Sequence, residues 1–152
     1  MQVTRAADNA VRVMIHLASL PPGSRTTRDA LARAADVRPE FLSKVLQALA
    51  RHGLILSYRG PVGGFELARP PESISVLDVV EAIDGPIALN RCVQRATDCG
   101  RAAWCAGHSV WQRAQEAMVT VLRDATIDRL AAETAENLAA AAAGPFPEDA
   151  WS

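Results

Sequence analysis

The chain has 152 residues, 49% of them hydrophobic and 22% charged, with a formal net charge of −1. That length suits one domain with a small extension and enough apolar side chains for a real core. No apolar run approaches the roughly 18–20 residues of a transmembrane helix, Met1–Arg5 leads into an amphipathic segment rather than a signal-peptide core, and three cysteines are an unsuitable number for a disulfide framework, so a cytoplasmic protein is expected, without a membrane partner.

The first element is a helix from Arg5 to Leu20, with Ala7, Val11, Met14, Ile15 and Ala18 at helical spacing. Thr4 is its expected N-cap, and Pro21-Pro22-Gly23 ends it. Thr26-Thr27-Arg28-Asp29 reads as a capping box opening a short helix from Arg28 to Ala35 that buries Leu31 and Ala34. After the turn Asp36-Val37-Arg38, Pro39 suits the first position of a second helix, which runs to about His52 with Leu42, Val45, Leu46 and Leu49 inward and Gly53 as its stop. Two helices across so short a turn form a helix-turn-helix. The outward face of the second carries Arg38, Glu40, Ser43, Lys44, Gln47 and Arg51, groups able to reach base edges and phosphates. An ordinary amphipathic hairpin with a solvated face is the alternative.

Leu54 to Arg59 and Phe65 to Ala68 then read as two strands around the turn Gly60-Pro61-Val62-Gly63-Gly64. A hairpin directly after a helix-turn-helix is a wing. Arg59 falls at its tip, where a guanidinium can enter a narrow minor groove; an ion pair with Glu66 is its competing role. Charge agrees with a phosphate-facing front half: ten basic and five acidic residues lie in 1–70, against six and twelve in the remainder. Ser75-Val76-Leu77-Asp78 is another capping box, starting a helix that stops at Gly85-Pro86. From about Ala106 a helix resumes with Val110, Ala114, Ala117, Met118, Val121 and Leu122 on one stripe, and Thr126 caps a last helix containing Ile127, Leu130 and Leu138. So long a stripe, remote from the helix-turn-helix, is most simply a dimer helix; packing on its own domain is the alternative.

Between these helices stand all three cysteines, as Cys92-x6-Cys99-x5-Cys105-x2-His108. Three thiolates and an imidazole suit zinc or an iron–sulfur cluster. If a helix begins near Cys105, residues at i and i+3 share a face, which favours His108 as the fourth ligand. A metal-free thiol sensor is a further reading. His16, His52 and His108 are the only histidines, and none lies in a nucleophile, P-loop or dinucleotide motif, so neither an enzyme nor a small-molecule substrate is expected.

Gly53-Leu54-Ile55, Arg59 to Phe65, Asp78 to Gly85 and the three-cysteine segment together resemble the Rrf-two family of bacterial winged-helix regulators, over roughly Met1 to Leu130. The resemblance implies a homodimer that binds a palindromic operator in double-stranded DNA and holds an iron–sulfur cluster on Cys92, Cys99 and Cys105, whose state sets DNA affinity. His108 resembles the fourth ligand of IscR-like members, which hold a 2Fe-2S cluster. Asp8 resembles that of NsrR-like members, which hold 4Fe-4S and recruit the residue across the dimer. The 2Fe-2S form is the expected one, 4Fe-4S the alternative, and a structural zinc ion in a constitutive or thiol-redox DNA-binding protein the competing class. Six residues separate Cys92 from Cys99 where several relatives have another gap, and Ser43 stands where some cluster-biogenesis regulators carry an operator-reading glutamate.

The expected fold is thus mostly α with a small β-hairpin wing. A winged-helix DNA-binding domain spans 1–86, with helix 76–83 packing on it. A cluster-binding loop (87–108), dimerisation helices (109–143) and a tail (144–152) follow. The expected DNA-binding set is Arg28, Arg38, Ser43, Lys44, Gln47, Arg51, Tyr58, Arg59 and Gly60.

Overall fold

A computed structural model describes residues 3–95 and 99–143; the expected tail, 144–152, lies outside them. The described chain is mostly helical. Its order is α1 (Arg5–Ser19), α2 (Arg28–Ala35), α3 (Pro39–Arg51), β1 (Ile55–Tyr58), β2 (Gly64–Leu67), α4 (Val76–Asp84), a short α5 (Arg91–Gln94), α6 (Ala106–Asp124) and α7 (Ile127–Ala143).

Helix α1 is the hub. Thr4 caps it, its hydroxyl accepting from the Ala7 amide at 3.2 Å while donating to Asp84 Oδ1 at 2.6 Å. Helices α2, α3, α4 and α7 all pack on α1. Its buried arc is consequently wider than one stripe: Ala7, Ala10, Val13, Met14 and Leu17 are buried, while Val11, Ile15 and Ala18 are half-buried flanks. In α2 the inward residues are Leu31, Ala32 and Ala35; Ala34, expected inside, is exposed. The cap also differs from expectation. Thr27, not Thr26, accepts from the Ala30 amide, because Thr26 is engaged as a single-residue third strand whose N–H and carbonyl pair with Phe65 at 3.1 and 2.9 Å. Helix α3 matches its pattern, with Pro39 in the first turn and Leu42, Val45, Leu46 and Leu49 buried.

Strands β1 and β2 are antiparallel, in the register Ile55–Leu67, Leu56–Glu66, Ser57–Phe65 and Tyr58–Gly64. Ile55 enters the main core. The capping box of α4 forms in full, Ser75 and Asp78 each accepting the other's backbone N–H.

The C-terminal helices divide. Along α6 none of the side chains is fully buried; Met118, Val119 and Leu122 rest on Leu77 and Val80 of α4. The other part of its stripe is exposed, Val110 to 58% and Val121 to 67%. Helix α7, in contrast, lies on α1 and places Ile127 within the main core. The α6–α7 corner is pinned to the start of α4: Val76 N–H donates to the Ala125 carbonyl at 2.8 Å and Ile127 N–H to that of Ile74 at 2.9 Å.

Ile127 is fully buried and Leu138 is 66% exposed. Ile127→Ala should therefore lower the unfolding free energy by about 2–5 kcal/mol, and Leu138→Ala by less than about 0.5, in urea titrations of the isolated protein. Equal small effects would mean that α7 is an appendage.

Candidate functional site

The outward face of α3 is built by its own inward stripe: once the four apolar residues face α1, helical geometry turns Lys44, Gln47 and Arg51 to solvent. Arg38, the N-cap, is exposed and its side chain makes no capping bond. Ser43 is half-buried, and its hydroxyl donates to the Pro39 carbonyl at 3.2 Å, leaving only its lone pairs for a ligand. Arg28 opens α2, exposed, 3.7 Å from Asp29.

The wing turn is a glycine structure. Gly60 has φ +93, and its carbonyl accepts from the Gly63 amide at 3.0 Å. A Cβ on Gly63 would come within 2.8 Å of that same oxygen, closer than side chains tolerate. Arg59, Gly60 and Val62 are exposed at the tip. The competing partner for Arg59, Glu66, is already taken: its Oε1 accepts the Tyr58 hydroxyl at 2.6 Å and its Oε2 faces Arg25 Nε at 3.4 Å. Among the described residues Arg59 makes no ion pair. The Tyr58 hydroxyl is held by Glu66, and its ring lies 3.5 Å beneath the Arg25 guanidinium carbon. Sequence reasoning missed Arg25 and Glu66 as a pair. Tyr58 and Glu66 are legible as diagonal neighbours on one face of a hairpin; no local signal brings in Arg25, 33 residues before Tyr58.

The described part of the cysteine segment holds a short helix and a helix cap. Cys92 lies in α5, its thiol donating to Asn90 Oδ1 at 3.0 Å; Cys105 is the N-cap of α6, and the His108 amide donates to the Cys105 carbonyl at 3.0 Å. All three thiols are free and half-buried. Residues 96–98 lie outside the described ones. Among the described residues no three His, Cys, Asp or Glu side chains are grouped closely enough to hold a metal ion. The expected convergence of Cys92, Cys99, Cys105 and His108 is therefore not seen. Neutral thiols are weak hydrogen-bonding groups with little mutual attraction, and Cys92 has taken a local partner. Asp8, the alternative fourth ligand, is ion-paired with Arg12 at 3.0 Å and lines a cleft with Arg5, Asp36, Arg38 and Phe41, beside the start of α3. The donor types nonetheless fit a cluster or zinc, and one feature points to a ligand: His108 Nδ1 is buried without a hydrogen-bond partner.

A helix-turn-helix with an arginine-tipped wing defines a winged-helix DNA-binding regulator. The model of the Rrf2 family, described as an iron-dependent transcriptional regulator, matches residues 3–133, and the chain belongs to that family of transcription regulators, which are not enzymes. The chain is similar to an HTH-type transcriptional regulator of Mycobacterium tuberculosis, 36% identical over 127 residues that cover 84% of this chain and 79% of the relative. In fold it resembles CymR, the global cysteine regulator of B. subtilis (TM-score 0.74, 24% identity, 88% of this chain and 98% of that one). It resembles IscR of T. potens as well (TM-score 0.68, 24% identity, 86% of each chain).

Tyr58 is the only tyrosine, so ultraviolet titration reads it alone. Its hydrogen bond to Glu66, then burial and the carboxylate's charge, push the phenol above its ordinary value of 10.0. A raised folded-state value means that the stabilisation is complete below the ordinary phenol range and is lost as pH rises through the folded value. Glu66→Leu should return the midpoint towards the ordinary value. An unchanged midpoint would show that the bond does not hold the wing in solution.

Proposed function

We propose that the chain is a homodimeric transcription regulator of the cytoplasm that binds a palindromic operator and whose affinity is set by an iron–sulfur cluster. The observation that carries the DNA reading is the exposed polar face of α3 followed by a wing whose arginine has no ion pair among the described residues. On this reading Arg38, Lys44 and Gln47 reach the major groove, Arg28 and Arg51 contact the backbone, and Arg59 with Gly60 enters the minor groove. Ser43 contributes an acceptor, and Tyr58 acts through the wing. Half-sites would be separated by about one or two helical turns. The exposed Val110, Trp111 and Val121 on α6 support a second copy of this chain as the partner of that helix.

For the cluster, the support is the family description together with the free thiols and the unpaired His108 nitrogen. Cys92, Cys99 and Cys105 would hold it, with His108 or Asp8 as the fourth ligand, in the 2Fe-2S form on His108 or 4Fe-4S on Asp8. The cluster would supply a redox- and nitric-oxide-sensitive centre. The chain's own residues supply the linkage. Just before the loop Asp84 accepts from both the N–H and the hydroxyl of Thr4, tying α4 to α1; at the loop's start the Leu89 amide donates to Gln115 Oε1 of α6 at 3.1 Å, and at its other end Cys105 caps α6. Drawing the thiols together must pull on these anchors, and so on the helix that sets two recognition helices apart. This is a two-state element biased by a ligand.

A second reading is a cluster-free regulator switched by oxidation of its free thiols; a structural zinc ion, which needs the same gathering of donors as a cluster, is the remaining alternative. Anaerobic purification separates them. A cluster gives a coloured protein that loses its visible absorption in Cys92→Ala, Cys99→Ala and Cys105→Ala, and retention in either His108→Ala or Asp8→Ala names the fourth ligand. Cluster-bound and stripped protein should differ roughly 5- to 150-fold in affinity for a duplex selected from a random-sequence library. A colourless, zinc-free protein whose DNA affinity changes with peroxide would replace the cluster with thiol chemistry.

A further inference from the structure

Resting on the DNA reading above, we infer that Arg25, Tyr58 and Glu66 form a latch that fixes the angle of the wing, so that Arg25 positions Arg59 instead of contacting phosphate itself.

A two-stranded hairpin is marginal alone; this one meets the main core through Leu54, Ile55 and Leu67 at its proximal end and through the half-buried Phe65 further out. Its distal end, where Tyr58 faces Gly64, needs another anchor. The segment Arg25–Thr26 is that anchor. Gly64 leaves the place opposite Tyr58 empty of side chain; a Cβ there would stand 2.7 Å from the Thr26 carbonyl oxygen and 3.5 Å from Arg25 Cβ. The segment thus lies directly against the hairpin and pairs with Phe65 through both backbone groups. Across the gap left by Gly64 the guanidinium of Arg25 covers the Tyr58 ring at 3.5 Å, a cation–π arrangement. Glu66 closes the set, one oxygen on the Tyr58 hydroxyl and the other on Arg25 Nε. Residue 26 leads at once into the Thr27 cap of α2. The latch therefore joins the far end of the wing to the start of the helix-turn-helix.

Charge decides between positioning and direct contact. A carboxylate beside a polyanion opposes binding, yet Glu66 is held only 18% exposed with both oxygens used. Its charge also offsets that of Arg25, leaving the pair little net attraction for phosphate.

Two readouts test this, with fluorescence anisotropy on a duplex selected by the wild-type chain from a random-sequence library. Glu66→Gln removes a negative charge almost isosterically. Electrostatics alone makes it bind more tightly; the latch makes it bind about fivefold more weakly, and Tyr58→Phe weakens binding in the same sense, both within the range of indirect couplings. Arg25→Ala should weaken binding with the salt dependence unchanged, whereas a lost phosphate contact lowers the slope by about 1. Arg59→Ala should cost about tenfold in the wild-type background and less than about twofold beside Arg25→Ala, because the wing is already displaced. Tighter binding by Glu66→Gln, a reduced slope, or an equal cost of Arg59→Ala in both backgrounds overturns the latch. A silent Arg59→Ala in the wild type overturns instead the wing's place on DNA, and with it the role given to the latch. Should Arg25→Ala not melt cooperatively, the sign of the Glu66→Gln effect, with Tyr58→Phe, decides alone.

Discussion

Burial of one broad face of α1 is the constraint from which the architecture follows. Ala7, Ala10, Val13 and Met14 have no solvent exposure, and four other helices rest on them. Alanine at 7 and 10 lets neighbouring backbones approach closely, and Met14 fills the irregular space that a helix surrounded by several others leaves. With that face to cover, α2 and α3 have one apolar side to offer it. Their remaining faces, with the cationic and amide side chains, are turned outward. The recognition surface is in this sense a by-product of how the hub is covered.

The same burial explains what was legible in the sequence. Isolated signals with a local cause came through: the reciprocal Ser75 and Asp78 cap, Pro39 at a helix start, the four-residue stripe of α3, and the glycine-rich turn of the wing. Readings failed where a distant element changed the answer. Thr26 looks like a helix cap until the hairpin, some forty residues later, claims its backbone. Ala34 and Ala35 are chemically identical, and only the placement of α1 decides which is inside. The stripe of α1 was read too narrowly because a single sequence does not show how many neighbours a helix will have. Helix α7 was grouped with α6 as a dimerisation element; its place on α1, with Ile127 in the core, follows from the bonds its corner makes to the start of α4.

For the candidate sites the division is sharper. The positions of Lys44, Gln47, Arg51 and Arg59 on a helix face and a turn tip were readable, because such placement needs only local geometry. The pairing of Arg25 with Glu66 was not, since it depends on the absent side chain at Gly64 opposite Tyr58. For the cysteines, spacing conveyed the chemistry of the donors but not their arrangement. Three thiols in fourteen residues can be spread along a helix, a turn and a cap as readily as gathered about one point, and each local contact, such as that of Cys92 with Asn90, favours spreading.

The corner between α6 and α7 gives this arrangement a mechanical character. Bonds from Val76 and Ile127 clamp one end of α6, and its apolar contacts with α4, through Met118, Val119 and Leu122, all lie in the half nearest that clamp. The helix has 19 residues, about 28 Å at a rise of ~1.5 Å per residue. Clamped at one extremity, met along its length by α5 and the Leu89–Gln115 bond, and bearing Cys105 at the other end, it has its firmest hold far from the sulfur, so that a tilt of roughly 5° there carries the cysteine end through about 2.5 Å along a rod of that length.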